Sequence, residues 1–146
     1  MVTAHFKQTY PAGVVVHGRG EAVLVFALDD EPELRLVLHR SNLPNWLDRP
    51  RRNIVAITLG KSAHLSPELG RWDVSRLASL LAHEWRHRWQ RERYGIWYAP
   101  MAIWRVLTDG YHNSDMERDA DWFEGRYQPW FIVAASKLLA SDFFRD

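Results

Sequence analysis

The sequence contains no cysteine, so disulfide bonds are excluded and any metal site must be built from histidine and carboxylate side chains. Long hydrophobic runs are also lacking, and no segment approaches the length needed to cross a bilayer. Residues 1–20 have no continuous apolar stretch behind a basic start, which a signal peptide would require. We therefore expect a cytoplasmic protein that does not contact a membrane.

A strong charge of either sign is absent, because 19 basic residues balance 18 acidic ones and leave a net charge of +1. The arginine clusters at residues 49–52 and 86–93 are interrupted by acidic or apolar residues. Arg88 and Glu92 have the spacing of an ordinary ion pair on a helix surface. This pattern lacks the electrostatic footprint of nucleic-acid-binding proteins, and we expect no nucleic-acid partner.

The length of the chain, and the change from strand-like to helical patterns along it, predict a single domain of the α+β class, residues 1–146. Short β-branched runs predict a small, mostly antiparallel sheet of three to four strands, at residues 13–16, 22–28, 34–38 and 54–59. The later sequence has helical periodicity, with spans near residues 74–94, 97–108, 115–127 and 130–141. We expect the sheet to pack against the first of these helices.

The most specific chemical pattern is the HExxH pentad, residues 83–87, inside the first predicted helix. Residues four positions apart share a helix face, so the imidazoles of His83 and His87 can reach one metal ion. Glu84 lies beside them, where its carboxylate would contact a water on the ion and act as a general base. Asp73 is placed to cap this helix and Gly95 to end it. The pattern predicts a zinc site.

A catalytic zinc ion usually takes three protein ligands, so a third must come from elsewhere in the chain. Residues 110–123 indicate a turn and then a helix whose register places four polar residues along one side: Glu117, Asp121, Glu124 and Gln128. We predict Glu117 as the third ligand and one Zn²⁺ per chain. Asp121 and Gln90 are candidates to accept the free ring N–H of a ligating histidine, which would fix its tautomer.

The HExxH pentad, followed about 30 residues later by Glu117-x-x-x-Asp121, resembles the gluzincin class of zinc metallopeptidases, especially its minimal, single-domain members. Residues 54–125 are also similar to a group of small bacterial and phage-type HExxH proteins. The resemblance implies a zincin-like fold and the hydrolysis of peptide bonds in a peptide or protein substrate. It also implies a set of roles: zinc ligands His83, His87 and Glu117, general base Glu84, and supporting carboxylate Asp121.

Substrate binding is assigned by analogy. In the resembling peptidases the strand before the zinc helix binds an extended peptide along a sheet edge, which points to Ile57, Thr58 and Leu59. A donor must also stabilise the developing oxyanion. We favour Tyr111 and His112 as catalytic donors, because they lie just before the helix of Glu117, over the other candidates Tyr94, Arg126 and Tyr127.

Two alternatives stay open from the sequence. A zinc ion could stabilise an interaction module without catalysis, with Glu84 paired to a neighbouring arginine, although structural zinc sites usually close their shell with cysteines. The same catalytic residues would also serve a narrow regulatory protease that acts on one partner protein.

Overall fold

The computed structural model describes residues 10–28, 31–44, 55–98, 100, 104, 107–108 and 115–145. Within these ranges a five-stranded sheet precedes a set of helices, which confirms the predicted α+β class. No described helix combines the length and the apolar character that crossing a membrane requires.

The sheet has more strands than predicted but is mostly antiparallel, as predicted. Its strands are β1 (Gly13–Val16), β2 (Glu21–Phe26), β3 (Leu34–Arg40), β4 (Ala56–Leu59) and β5 (Ser62–Leu65). They are ordered β1-β2-β3-β5-β4, with a parallel β3–β5 pair and three antiparallel pairs. Strand β4 therefore lies at a sheet edge, as expected for this segment. Residue 54, the first of the predicted strand, lies outside the described residues.

Strand β5 is the element that sequence patterns missed, because Ser62-Ala63-His64-Leu65 contains no β-branched or large aromatic residue. A two-residue turn connects it to β4, and Gly60 at the first turn position has a φ of +64°, which fits a type II′ hairpin. Ala63 and Leu65 are fully buried in the core. Burial against distant residues, rather than local propensity, therefore determines this strand.

Three α-helices lie in the described ranges: α1 (Val74–Tyr94), α2 (Asp115–Tyr127) and α3 (Ile132–Ala140). Helix α1 begins and ends as predicted: Asp73 accepts a hydrogen bond from the Arg76 backbone N–H at 2.7 Å, and Gly95 follows its last turn with a φ of +59°. Helix α3 is shorter than predicted, because Gln128–Phe131 form a separate 3₁₀ helix before it. Most of the predicted helix 97–108 lies outside the described residues.

Trp85 anchors α1 in the core. Its buried ring stacks on Phe123 of α2 at 5.5 Å between centroids and meets Phe26 of β2 edge-on at 4.9 Å. Burying a side chain of this size contributes roughly 2–3 kcal/mol. Residues two positions apart on a helix point roughly 160° apart, so His83 and His87 face away from this anchor. The packing of Trp85 therefore fixes the direction in which both histidines point.

Candidate metal centre

His83 and His87 lie one turn apart on α1 and present their rings to the same space. Their Nε2 atoms are 3.2 Å apart, and their ring planes are inclined at 79°. His87 is buried and His83 is half-buried. The two rings thus form one side of a shielded cluster.

Glu117, in the first turn of α2, completes this cluster. Its Oε2 lies 3.0 Å from His83 Nε2, and its Oε1 lies 2.9 Å from His87 Nε2. With zinc–ligand bonds of about 2.1 Å, the ligand atoms of a tetrahedral site lie about 3.4 Å apart, a few tenths of an ångström more than these separations. The structure therefore brings together the three predicted residues as a group that could hold a metal ion, here called the ligand cluster.

Gln90 determines where the proton of His87 lies. The amide nitrogen of Gln90 donates to the Met116 carbonyl at 2.8 Å and to Asp119 Oδ2 at 2.9 Å, so its amide oxygen must face His87. This oxygen lies 3.0 Å from His87 Nδ1, which must be the donor. A neutral His87 therefore directs the lone pair of Nε2 into the ligand cluster.

His83 is held by Glu124 of α2 through a hydrogen bond and by Asp121 of α2 through a charge contact. Its Nδ1 lies 3.2 Å from Asp121 Oδ1 and 3.2 Å from Glu124 Oε1. Ionised carboxylates only accept hydrogen bonds, so Nδ1 carries the proton and Nε2 is left as a ligand atom. Asp121 is the partner predicted from the sequence. Glu124, on the same predicted helix face, is a second partner that sequence reasoning did not assign.

The ligand cluster favours positive charge. Burial lowers the pKa of His83, but hydrogen bonds with Glu117 and Glu124 and the charge of Glu84 outweigh burial and raise this pKa to about 11. Burial likewise opposes a rise in the pKa of His87, which Glu117 and Glu84 bring about. Burial raises the pKa of Glu117, but the two imidazoles hold it far below its usual range. Without a metal, protons on the two imidazoles supply this positive charge, and a divalent cation would displace these protons.

Glu84 lies beside the ligand cluster and is not one of its members. It is buried, with 5% of its surface exposed. Its Oε2 accepts a hydrogen bond of 2.6 Å from the Thr58 hydroxyl on β4. Its charge acts on both imidazoles, as their raised pKa values show. This is the placement predicted for a general base.

The side chains of the three residues assigned to substrate binding do not all point to the same face of the sheet. Thr58 pairs with the buried Ala63 of β5 and faces α1. Side chains alternate along a strand, so Ile57 and Leu59 point to the opposite face, where Leu59 is half exposed. Thr58 alone of the three contacts the candidate site.

Both favoured oxyanion donors, Tyr111 and His112, lie outside the described residues. A phenol that sequence reasoning missed, that of Tyr98, lies near the site. Residues 92–97 are exposed, whereas Tyr98 is half-buried after the chain turns at Gly95. Burial and the charges of Glu117 and Glu84 raise the pKa of Tyr98 to about 12. The phenol therefore stays protonated at neutral pH and can donate a hydrogen bond.

Arg86, the fourth residue of the HExxH pentad, supports the site indirectly, through Asp119 and Gln90. Its buried guanidinium donates to both carboxylate oxygens of Asp119, at 2.7 and 3.1 Å, and lies 3.6 Å from the centre of the Trp89 ring. Burial raises the pKa of Asp119, but hydrogen bonds from Arg86 and Gln90 lower it overall. Arg86 and Asp119 thus hold Gln90 in place, and sequence reasoning did not assign either of them a role.

No protein-family model, curated protein or solved structure matches the chain. The gluzincin resemblance of residues 54–125 therefore stays a prediction. Function is inferred below from the residues of the site.

Proposed function

We propose that this protein is a zinc-dependent endopeptidase in which Glu84 is the general base. The observation that carries this proposal is the convergence of His83, His87 and Glu117, with a separate buried carboxylate beside them. Two neutral imidazoles and one carboxylate form a ligand set that zinc takes in catalytic sites. In the part of the chain that the structure describes, no fourth histidine, aspartate or glutamate joins this group.

A zinc ion held there would supply Lewis acidity, which activates water near neutral pH and polarises a peptide carbonyl. Glu84 takes the proton of the attacking water and delivers it to the leaving amine. Tyr98, protonated at neutral pH, donates a hydrogen bond to the carbonyl oxygen as negative charge develops there. The Nδ1 proton of His83 points to the carboxylates of α2, and the Nδ1 proton of His87 points to Gln90. The Nε2 lone pairs of both histidines therefore stay available.

The free edge of β4 favours an extended peptide as the substrate. Among the described strands, β4 pairs with β5 alone, so one edge of its backbone can form hydrogen bonds with an added strand. Thr58, at the centre of this edge strand, touches Glu84. A peptide added at this edge would therefore run next to the proposed base.

A zinc-stabilised interaction module without catalysis is the alternative. It predicts an arginine partner for Glu84, whereas the hydrogen bond on this carboxylate comes from Thr58. It also fits poorly with a ligand set that contains no cysteine. The catalytic proposal accounts for both features.

The proposal is tested with purified full-length protein, its zinc content and its hydrolysis of denatured casein. We expect about one zinc per chain and cleavage that is lost in Glu84→Gln while zinc is retained. Glu92→Gln is the matched control, because Glu92 lies on the same helix but at the surface, paired with Arg88 at 2.8 Å. Loss of zinc in Glu84→Gln would contradict the role of base, and a zinc-loaded wild type that cleaves nothing would favour the interaction module.

A further inference from the structure

We propose that Thr58 is a positioning residue that orients the carboxylate of Glu84 and ties it to the sheet edge. The inference rests on the proposed function, because it concerns the base of that reaction. It depends on one contact between distant parts of the chain, from Thr58 on β4 to Glu84 on α1.

The contact has the geometry of a strong hydrogen bond to an ionised group. Thr58 Oγ1 lies 2.6 Å from Glu84 Oε2, within the short range of hydroxyl–carboxylate bonds. The same hydroxyl lies 3.4 Å from the backbone carbonyl of Glu84, which is too long to compete for its single proton. The hydroxyl therefore donates to the carboxylate.

This bond leaves one carboxylate oxygen for the reaction. A carboxylate group is rigid and planar. The hydrogen bond from Thr58 to Oε2 therefore also limits the directions in which Oε1 can point. Within the described residues, Thr58 is the hydrogen-bond donor to this carboxylate, and Oε1 receives none. We infer that Oε1 is the atom that accepts the proton of the attacking water.

The position of Thr58 links this orientation to the proposed substrate. Thr58 is in register with Ala63, so its side chain points towards α1 while the backbone of β4 stays at the sheet edge. One residue therefore contacts the base and belongs to the strand that would pair with a peptide. A fixed distance between strand and base would place successive peptide carbonyls in a defined register with Oε1.

The test compares Thr58→Val, which removes the hydroxyl but keeps the shape, with Thr58→Ser, which restores it. Ser62→Ala is the matched control, because it removes a hydroxyl from β5 on the opposite face of the sheet. With zinc-loaded proteins and denatured casein, we expect Thr58→Val to lower kcat about ten- to a hundredfold with KM unchanged. Thr58→Ser should recover most of this loss, and Ser62→Ala should show none.

A second readout does not depend on hydrolysis. Co²⁺ replaces zinc in such sites and absorbs visible light, and its spectrum reports the groups around the ion. We expect Thr58→Val to change the Co²⁺ spectrum in the same sense as Glu84→Gln, while Thr58→Ser and Ser62→Ala keep the wild-type spectrum. In a Glu84→Gln background, which does not cleave casein, Thr58→Val should cause little further change in the Co²⁺ spectrum.

The two readouts separate the inference from the proposed function. A wild type that binds Co²⁺ without cleaving casein, but whose spectrum responds to Thr58→Val as described, would overturn a peptidase that accepts unfolded proteins in general and support the positioning of Glu84. A wild type that cleaves casein, with Thr58→Val unchanged in kcat and in spectrum, would overturn the positioning role and support the peptidase. A protein that binds neither metal would overturn both.

Discussion

The amide oxygen of Gln90 faces His87 Nδ1 at 3.0 Å because the amide nitrogen of Gln90 is already bound to two acceptors. This arrangement fixes the tautomer of a proposed zinc ligand without a charged partner. It is supported in turn by Asp119 and by the buried Arg86. The proposed metal centre would therefore depend on Gln90, Asp119 and Arg86, which are not members of the ligand cluster.

Gln90→Leu tests this support. It removes the acceptor at His87 Nδ1, and we expect zinc affinity to fall about 10- to 100-fold in competition with a coloured chelator. Gln128→Leu is the control, because Gln128, in the 3₁₀ helix that follows α2, binds Ser75 at the start of α1, at 2.9 and 3.1 Å. Equal affinities in wild type and Gln90→Leu would show that His87 needs no such partner.

The two carboxylates on His83 Nδ1 predict redundancy. In Asp121→Ala, Glu124 keeps its contact of 3.2 Å, so we expect zinc affinity to change less than about threefold. The double variant Asp121→Ala/Glu124→Ala should lose about 10- to 100-fold, measured in the same chelator competition. Asp115→Ala removes an exposed carboxylate from α2 as a control. A full loss in Asp121→Ala alone would assign the role to Asp121, as the sequence suggested.

Tyr98→Phe tests the proposed oxyanion donor. The variant keeps the ring and removes the hydroxyl, so we expect kcat on denatured casein to fall about 10²- to 10³-fold with zinc content unchanged. Tyr10→Phe is the matched control, since Tyr10 is exposed and is not a candidate donor. An unchanged kcat in Tyr98→Phe would return the role to Tyr111 or His112.

His64 predicts a loss of stability at mildly acidic pH. Its ring lies 5.4 Å from that of His39, and its Nδ1 is buried without a partner among the described residues. Burial, and then His39, lowers the pKa of His64 below 6.5. The unfolded chain thus binds a proton at higher pH than the folded one, so stability falls as the pH drops from 6.5 towards the folded-state pKa.

Urea unfolding with a chelator present measures this effect without a contribution from metal binding. Between about pH 7.5 and about pH 5.5, the free energy of unfolding should fall less in His64→Leu than in wild type. Ser62→Ala, on the same strand, should follow the wild type. Parallel pH profiles for His64→Leu and wild type would show that His64 does not titrate differently on folding.

Local signals made part of the site predictable. The bounds of α1 follow from Asp73 and Gly95, and the spacing of His83 and His87 follows from the helical repeat. The register of α2 placed Glu117 and Asp121 on one side, and the structure brings both to the histidines. Their roles as ligand and as supporting carboxylate stay predictions.

Contacts between distant segments were not predictable. The bond from Thr58 to Glu84 joins residues 26 positions apart and requires β5, which has a weak strand propensity, to form beside β4. Tyr98 becomes half-buried after α1 has ended at Gly95, so its burial does not follow from the helical repeat of α1. Asp119 on α2 binds Arg86 on α1, and nothing in the sequence around Asp119 distinguishes it from a surface carboxylate.

Strand β5 lies between β3 and β4, although β4 comes first along the chain. The β4–β5 hairpin can therefore join the rest of the sheet only through the parallel seam with β3, where Val37 is opposite Ser62. The position of the whole hairpin, including the edge strand β4, therefore depends on this single seam. A change that opens this seam would separate β4, and with it the Thr58 hydroxyl, from Glu84, while the contacts between α1 and α2 that bring Glu117 to the two histidines would remain.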